Sequence, residues 1–264
     1  MNCKICSNKT INIFEAKILG RYIIKYYQCH SCKFIQTEEV YWLKEAYSEA
    51  IATLDIGLVT RNIELSEKTS TILKKYFDGD KIFLDYGGGY GLFVRIMRDK
   101  GFNFYRQDIY CENLFAKYFD IGNLNEFEKQ GFELLTAFEV FEHLANPLME
   151  IEKMFKYSSS ILFSTVIQPD VKFTDPSEWW YFSPETGQHI AFYTKSSLEY
   201  IAKYFKKKFY SNGSTLHLLT DKELPISIFS LPFFERLINK IKPRNDKSLL
   251  QKDYSYIKKL NQSQ

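Results

Sequence analysis

The sequence predicts an α/β protein: a doubly wound, mainly parallel sheet of seven strands, with a small cysteine-bearing appendage at its N-terminus. Three observations predict it. Residues 82–97 read as strand, glycine turn and helix, the opening unit of a nucleotide-binding sheet. Strand-like and helix-like stretches then alternate to residue 166, the order that builds parallel strands joined by crossover helices. Four of the five cysteines fall in two Cys-x-x-Cys pairs near the start of the chain.

Composition bounds the answer. A chain of 264 residues suits one full α/β domain plus a small appendage. Its net charge of +3 points away from nucleic acid as a main partner. No apolar run follows Met1-Asn2-Cys3-Lys4, and none reaches the length of a membrane span. The chain is therefore expected to be cytoplasmic, where thiols stay reduced.

Within residues 1–40, Cys3-Lys4-Ile5-Cys6 and Cys29-His30-Ser31-Cys32 flank a hairpin around Gly20-Arg21. Two such pairs at this separation have the spacing of a zinc ribbon, in which four thiolates close a tetrahedron. The zinc is expected to be structural, because four cysteines leave no open position. His30 is expected to be exposed. So short a segment carries little core, so the metal should supply its folding energy.

Residues 41–80 read as a helical connection covering the cofactor pocket. Tyr41, Trp42, Tyr47 and Arg61 either line that pocket or join the appendage to the main domain. The main domain is expected to span 81–222. Its first strand ends in Asp85 and leads to Gly87, Gly88, Gly89 and Gly91. Glycine there permits left-handed backbone and close approach of a ligand. A dinucleotide fingerprint would need glycine at 92, which is Leu92; that opposes an NAD-dependent oxidoreductase. The second strand ends at Asp108, twenty-three positions after Asp85, where a carboxylate binds a ribose diol or caps the next helix. A third strand is expected at 119–124, with Asp120, Asn123 or Glu126 near an adenine group.

The fourth strand, 132–138, ends in Phe138 and runs into Glu139-Val140-Phe141-Glu142-His143. On a helical turn, 139, 142 and 143 share one side, at the carboxyl end of a strand where such sheets place their ligands. A helix from Pro147 and a fifth strand at 160–166 follow. The loop 168–188 carries Trp179, Trp180, Tyr181 and Phe182, suited to stacking on sugar rings or to plain packing. It leads to Gln188-His189-Ile190-Ala191-Phe192-Tyr193. Closing strands are expected at 209–211 and 216–219. The tail, 223–264, contains an apolar stretch, 224–241, with basic residues beyond it. That stretch is read as a terminal helix packed on its own domain, with a membrane-surface or partner-docking helix as the alternative. The last dozen residues are expected to fray.

The spacing Asp85-x-Gly87-x-Gly89-x-Gly91 resembles the first motif of class I S-adenosylmethionine (SAM) dependent methyltransferases, a Rossmann-like family. The resemblance covers about residues 80–210. It implies that Asp85, the four glycines, Asp108 and Phe138 bind SAM. Glu139-x-x-Glu142-His143 resembles the E-x-x-E-H motif of metal-dependent O-methyltransferases of ubiquinone biosynthesis and of small-RNA termini. It implies a magnesium or manganese ion held by Glu139, Glu142, His143 and a later histidine, His189. The 187–193 stretch resembles methyltransferases of bacterial polysaccharide clusters, which implies a sugar or sugar-nucleotide acceptor. His143 and His189 are the catalytic candidates. Two alternatives stay open. One is sugar C-methylation with His189 as base, although that group carries glutamate where this chain has Gln188 and has a large further domain. The other is a methyltransferase-like binding module without activity.

Overall fold

A computed structural model of the protein describes residues 1–47, 55–126, 131–230 and 248–262. In chain order the first elements are β1 (Thr10–Ile18), β2 (Tyr22–Cys29), β3 (Ile35–Thr37), α1 (Leu43–Ala46), α2 (Leu58–Tyr76), β4 (Ile82–Tyr86), α3 (Leu92–Asp99) and β5 (Asn103–Gln107). Then come β6 (Leu134–Ala137), α4 (Pro147–Phe155), β7 (Ile161–Ser164), β8 (Ala191–Phe192), α5 (Lys195–Tyr204), β9 (Lys208–Ser211), β10 (Leu216–Thr220) and α6 (Leu250–Gln262). They fall into two compact units. One holds Met1–Leu54, Ala137–Lys156 and Ser160–Lys222; the other holds Asp55–Thr136, Tyr157–Ser159 and Glu223–Gln264.

The main sheet has six strands among the described residues, in the order β5-β4-β6-β7-β10-β9, where seven were expected. β4 runs parallel to β5 and β6, whereas β10 runs antiparallel to β7 and β9. The strand expected at 119–124 shrinks to one parallel bridge, Arg106 to Asp120. Its physical reason is local. The Asp120 side chain and Asn123 form a capping box that turns Ile121–Asn123 into a 3-10 helix, so the extended backbone ends at once.

The second unit is built on β4, whose Phe83–Tyr86 are all buried, as parallel strands require. Most of the last dozen residues, expected to fray, belong to the helix α6. Asp253 there is buried and accepts from Arg98 of α3 at both oxygens, 2.9 and 2.8 Å, a two-pronged charged pair that ties the helix down.

In the first unit, β1, β2, β3 and β8 make a four-stranded antiparallel sheet, so the appendage borrows a strand from far along the chain. Its inner face, Phe14, Ile18, Ile24, Tyr26 and Ile35, shares one apolar core with Phe173, Trp179, Tyr181, Phe182 and Phe192. The ribbon thus does not rely on metal alone for its core. Trp42 belongs to the same core, and its indole Nε1–H donates to Gly187 O at 2.8 Å; this favours core packing over pocket lining. Arg61 is paired with Asp55 at 2.8 Å. Among the described residues no helix is long and apolar enough to cross a membrane. The proposed terminal helix at 224–241 lies mostly outside the described residues, beyond a short 3-10 turn, Ile226–Phe229.

Candidate functional site

The glycine turn follows β4 directly. Thr136 Oγ1 donates to Asp85 Oδ1 at 2.6 Å, and Asp85 is buried under the turn. A Cβ at Gly88 would sit 2.7 Å from Asp85 Oδ2 and 2.8 Å from Arg106 Cγ, so this glycine lets the turn lie on its own acid. Gly89 differs. It has φ +53°, and a Cβ there would meet no protein atom within 4 Å. Among the described residues that space is open, so a ligand can come close to the main chain of the turn there. Gly91, at φ +85°, starts α3.

Asp108 is already engaged. Its Oδ2 accepts from Gly89 N–H at 2.9 Å, and its Oδ1 accepts from Tyr110 and Cys111 N–H at 2.7 and 2.8 Å. It braces the turn while an oxygen keeps lone-pair capacity for a ribose hydroxyl. Arg106 lies beneath, nearly fully buried, and donates to Asp120 Oδ1 at 2.7 Å, to Cys111 O and to Gly89 O. Sequence reasoning missed it; an arginine two residues before the acidic strand end, Asp108, was the available signal. Asp120 is taken up by Arg106 and by Asn113 Nδ2, and Asn123 caps Asp120 N–H, so neither side chain is free to seek an adenine. Phe138, half-buried, comes directly after β6.

The second constellation lies within the first unit. Residues 141–143 form a 3-10 turn, and Glu139 takes a left-handed φ of +54°. Glu139 N–H donates to Ser164 Oγ, and Ser164 Oγ donates to Glu139 Oε1, both at 2.7 Å. Held this way, Glu139 stands outside the cluster that forms: Glu142, His143 and His189 each offer a ligand atom, all within 4.8 Å of one another. Three of the four expected ligands therefore converge. The helical turn expected from the sequence is a single 3-10 turn that starts after Glu139, and the left-handed residue redirects the first carboxylate.

Glu142 has no exposed surface, and among the described residues neither of its carboxylate oxygens has a hydrogen-bond partner. A buried carboxylate left so is unusual and calls for a cation or a proton. Both histidines are oriented. His143 Nδ1 meets Gln188 O at 3.0 Å, and His189 Nδ1 meets Tyr181 O at 2.6 Å. A carbonyl only accepts, so each Nδ1 carries a proton, and in a neutral ring Nε2 is then the atom that can bind a metal or take a proton. Such carbonyl partners are the usual support of metal-binding histidines. Burial lowers the His143 pKa, opposed by the Gln188 carbonyl and the Glu139 charge. One carboxylate with two imidazoles fits a divalent ion, and fits manganese better than magnesium, which prefers oxygen. His217, by contrast, is structural. It is fully buried between Ser211 Oγ and Thr165 O, and burial pushes its pKa down to about 4.

Two buried acids make stability depend on pH. Burial raises the pKa of Asp85 to about 7, helped by Asp108 and opposed by Thr136 and Arg106. Burial and the Glu139 charge raise Glu142 to about 7 as well, opposed by His189 and by the nearby Tyr181 side chain. The folded chain then holds protons that the unfolded chain has released, so stability should fall as pH rises from about 4 to about 7 and level off above, by on the order of 4 kcal/mol per acid. Denaturant melts of the ligand-free protein across that range will show this. Asp85→Asn and Glu142→Gln should each flatten the slope, and an unchanged slope in both would refute the assignment.

At the ribbon, Cys3, Cys6, Cys29 and Cys32 are buried, with their sulfurs within 4.8 Å of one another. The closest pairs are 3.6, 3.4 and 3.5 Å apart, near the edge of about 3.8 Å that a tetrahedron of 2.3 Å zinc–sulfur bonds requires. The four residues thus fit zinc. His30 is exposed, as expected, and Cys111 is half-buried. In the aromatic loop, Trp179, Tyr181 and Phe182 are buried in the core, while Trp180 is 75% exposed.

A family profile described as a methyltransferase domain matches residues 60–205, more than half of the 264-residue chain. No curated protein matches the sequence. Among solved structures, the chain is similar to the plantazolicin methyltransferase BpumL in complex with a monoazolic desmethylPZN analog and SAH. That pair has 13% identity and a TM-score of 0.44, over 68% of this chain and 89% of that one. It is also similar to the methyltransferase domain of bacterial CtHen1-CN, with 16% identity and a TM-score of 0.39, over 60% of this chain and 98% of that one. A third is an O-methyltransferase family 2 protein from Planctomyces limnophilus DSM 3776 in complex with apigenin: 11% identity, TM-score 0.41, 67% of this chain and 64% of that one. These likenesses are loose, and nothing about an acceptor follows from them.

Proposed function

Because the chain belongs to the methyltransferase-domain family, and is by that membership a SAM-dependent methyltransferase, we propose that it methylates a sugar hydroxyl with the help of a divalent ion. The acceptor would be a surface polysaccharide, a glycan or a sugar nucleotide. The observation that carries the metal-assisted part is Glu142, buried with no hydrogen-bond partner among the described residues, beside two histidines whose Nδ1–H groups are already donated. Trp180 supports a carbohydrate acceptor, since an exposed indole face next to Tyr181 can stack on a sugar ring.

In this reading the 85–91 turn holds SAM. Gly89 leaves room for it, and Asp108 Oδ2 accepts from a ribose hydroxyl. Methyl transfer is an in-line displacement at the sulfonium carbon, so positioning is the main task. A sugar hydroxyl has a high pKa, and a divalent ion at Glu142, His143 and His189 would supply the Lewis acidity that lowers it. Glu142 gives negative charge, and the two Nε2 lone pairs complete the donor set. The Gln188 and Tyr181 carbonyls hold both rings with Nδ1 protonated, the tautomer in which Nε2 is the ligand atom. Without an ion, the same lone pairs serve as general base, and His189 in that role would also suit C-methylation.

The test is methyl transfer to a panel of diol-bearing sugars and sugar nucleotides after chelation that strips the weak site but leaves the ribbon loaded. Elemental analysis should then find about one zinc per chain, bound by four cysteines. Activity should vanish and return with manganese. Full activity in the stripped, zinc-loaded protein would sink the metal-assisted reading and leave a histidine base. Failure to bind SAM at all would favour a binding module.

A further inference from the structure

The stretch from Gly187 to Thr194 is bonded alternately to the ribbon and to the Glu142–His143–His189 centre. On the ribbon side, Gly187 O accepts from Trp42, Ala191 and Phe192 pair with Gln36 and Ile35, and Thr194 Oγ1 donates to Cys32 O at 2.6 Å. On the centre's side, Ile190 N–H donates to Glu142 O at 2.8 Å and Tyr193 Oη donates to Phe141 O at 2.9 Å. Gly187 itself packs too tightly for any side chain: a Cβ would sit 2.6 Å from Ile18 Cγ2 on the ribbon hairpin, at φ +64°. The strap has little freedom to shift unless the ribbon shifts with it.

Gln188 joins both sides in one residue. Its side-chain Nε2 donates to Ala46 O at 2.7 Å, and its backbone carbonyl accepts from His143 Nδ1 at 3.0 Å. The side chain is buried, so this amide bond is not exchanged with water. Resting on the reading of the centre as a metal or base site, we propose that Gln188 is a positioning residue, through which α1, packed in one core with the zinc ribbon, sets the ring orientation and tautomer of His143. The ribbon is then part of the machinery that builds the centre. Neither Gln188 nor Trp42 touches a reacting atom. Each acts through the backbone carbonyl that holds His143, directly for Gln188 and one residue earlier for Trp42.

Two variants test this in the zinc-loaded, full-length protein. Gln188→Ala removes the donor to Ala46 O, and Trp42→Phe removes the donor to Gly187 O while keeping a ring. The chain has only four histidines, so long-range proton–nitrogen spectra of histidine-labelled protein read each tautomer separately. Wild type should show His143 and His189 protonated at Nδ1. In Gln188→Ala, His143 should become a tautomer mixture while His189 stays as it was. Manganese affinity, followed by electron paramagnetic resonance, should weaken roughly ten- to a hundredfold in Gln188→Ala and less in Trp42→Phe. Zinc content and SAM affinity should not move, which separates positioning from general damage. An unaltered His143 tautomer in both variants would overturn the proposal, whatever happens to the metal. If wild type binds no manganese, the metal reading fails, and the tautomer measurement still decides on Gln188.

Discussion

Glu142→Gln is expected to cut turnover by about a hundred- to ten-thousandfold, and His143→Ala to do the same, while SAM binding persists. The two substitutions fail for different reasons. Glutamine keeps the shape of Glu142 but removes the charge that would hold a cation. Alanine at 143 removes an Nε2 lone pair and leaves the Gln188 carbonyl without its partner. Stability should separate them further. Glu142 is a desolvated carboxylate with no hydrogen-bond partner among the described residues and a raised pKa, so its neutral analogue should make the metal-free protein melt higher near neutral pH. His143→Ala should lower the melting temperature, because it opens a cavity beside the His189 ring, 5.0 Å away, and strands the Gln188 carbonyl. A gain of stability with a loss of activity in Glu142→Gln is the signature of a functional acid. Wild-type turnover in that variant would show that the buried carboxylate has no part in the reaction.

Gly89→Val should abolish SAM binding in calorimetry, a loss of at least about a hundredfold, or about 3 kcal/mol, with the far-ultraviolet spectrum unchanged. A Cβ at 89 meets no described atom of the protein within 4 Å, so the added volume would fall where the proposed cofactor approaches the turn. The left-handed backbone there, φ +53°, costs a residue with a side chain about 1–2 kcal/mol, and somewhat more when it is β-branched. A domain with ordinary stability tolerates that. Gly91→Val makes the contrast. Its Cβ would lie 2.7 Å from Asn113 Oδ1 and 3.1 Å from Ala116 Cβ, at φ +85°, so that variant should fail in folding as well as in binding. Normal SAM affinity in folded Gly89→Val would move the cofactor away from this turn.

What the sequence determined by itself is what neighbouring residues decide among themselves. The strand at 82–86, the glycine turn and the helix after it were legible because burial, left-handed backbone and helix start are local demands. The two Cys-x-x-Cys pairs were legible because each forms one tight turn, and the hairpin between them brings the pairs together. The third strand was misread because propensity cannot see that Asp120 caps a 3-10 turn while holding Arg106. The centre was half legible. The sequence names Glu142, His143 and His189, yet a helical period places Glu139 among them, and one bond pair to Ser164, far along the chain on β7, takes it out. Only the tertiary structure decided that Glu142 has no hydrogen-bond partner among the described residues, that Gln188 O meets His143, and that β8 completes the ribbon sheet. The reason is distance along the chain: contacts between residues 45 or 150 positions apart follow from how apolar faces pack, and no local period encodes them.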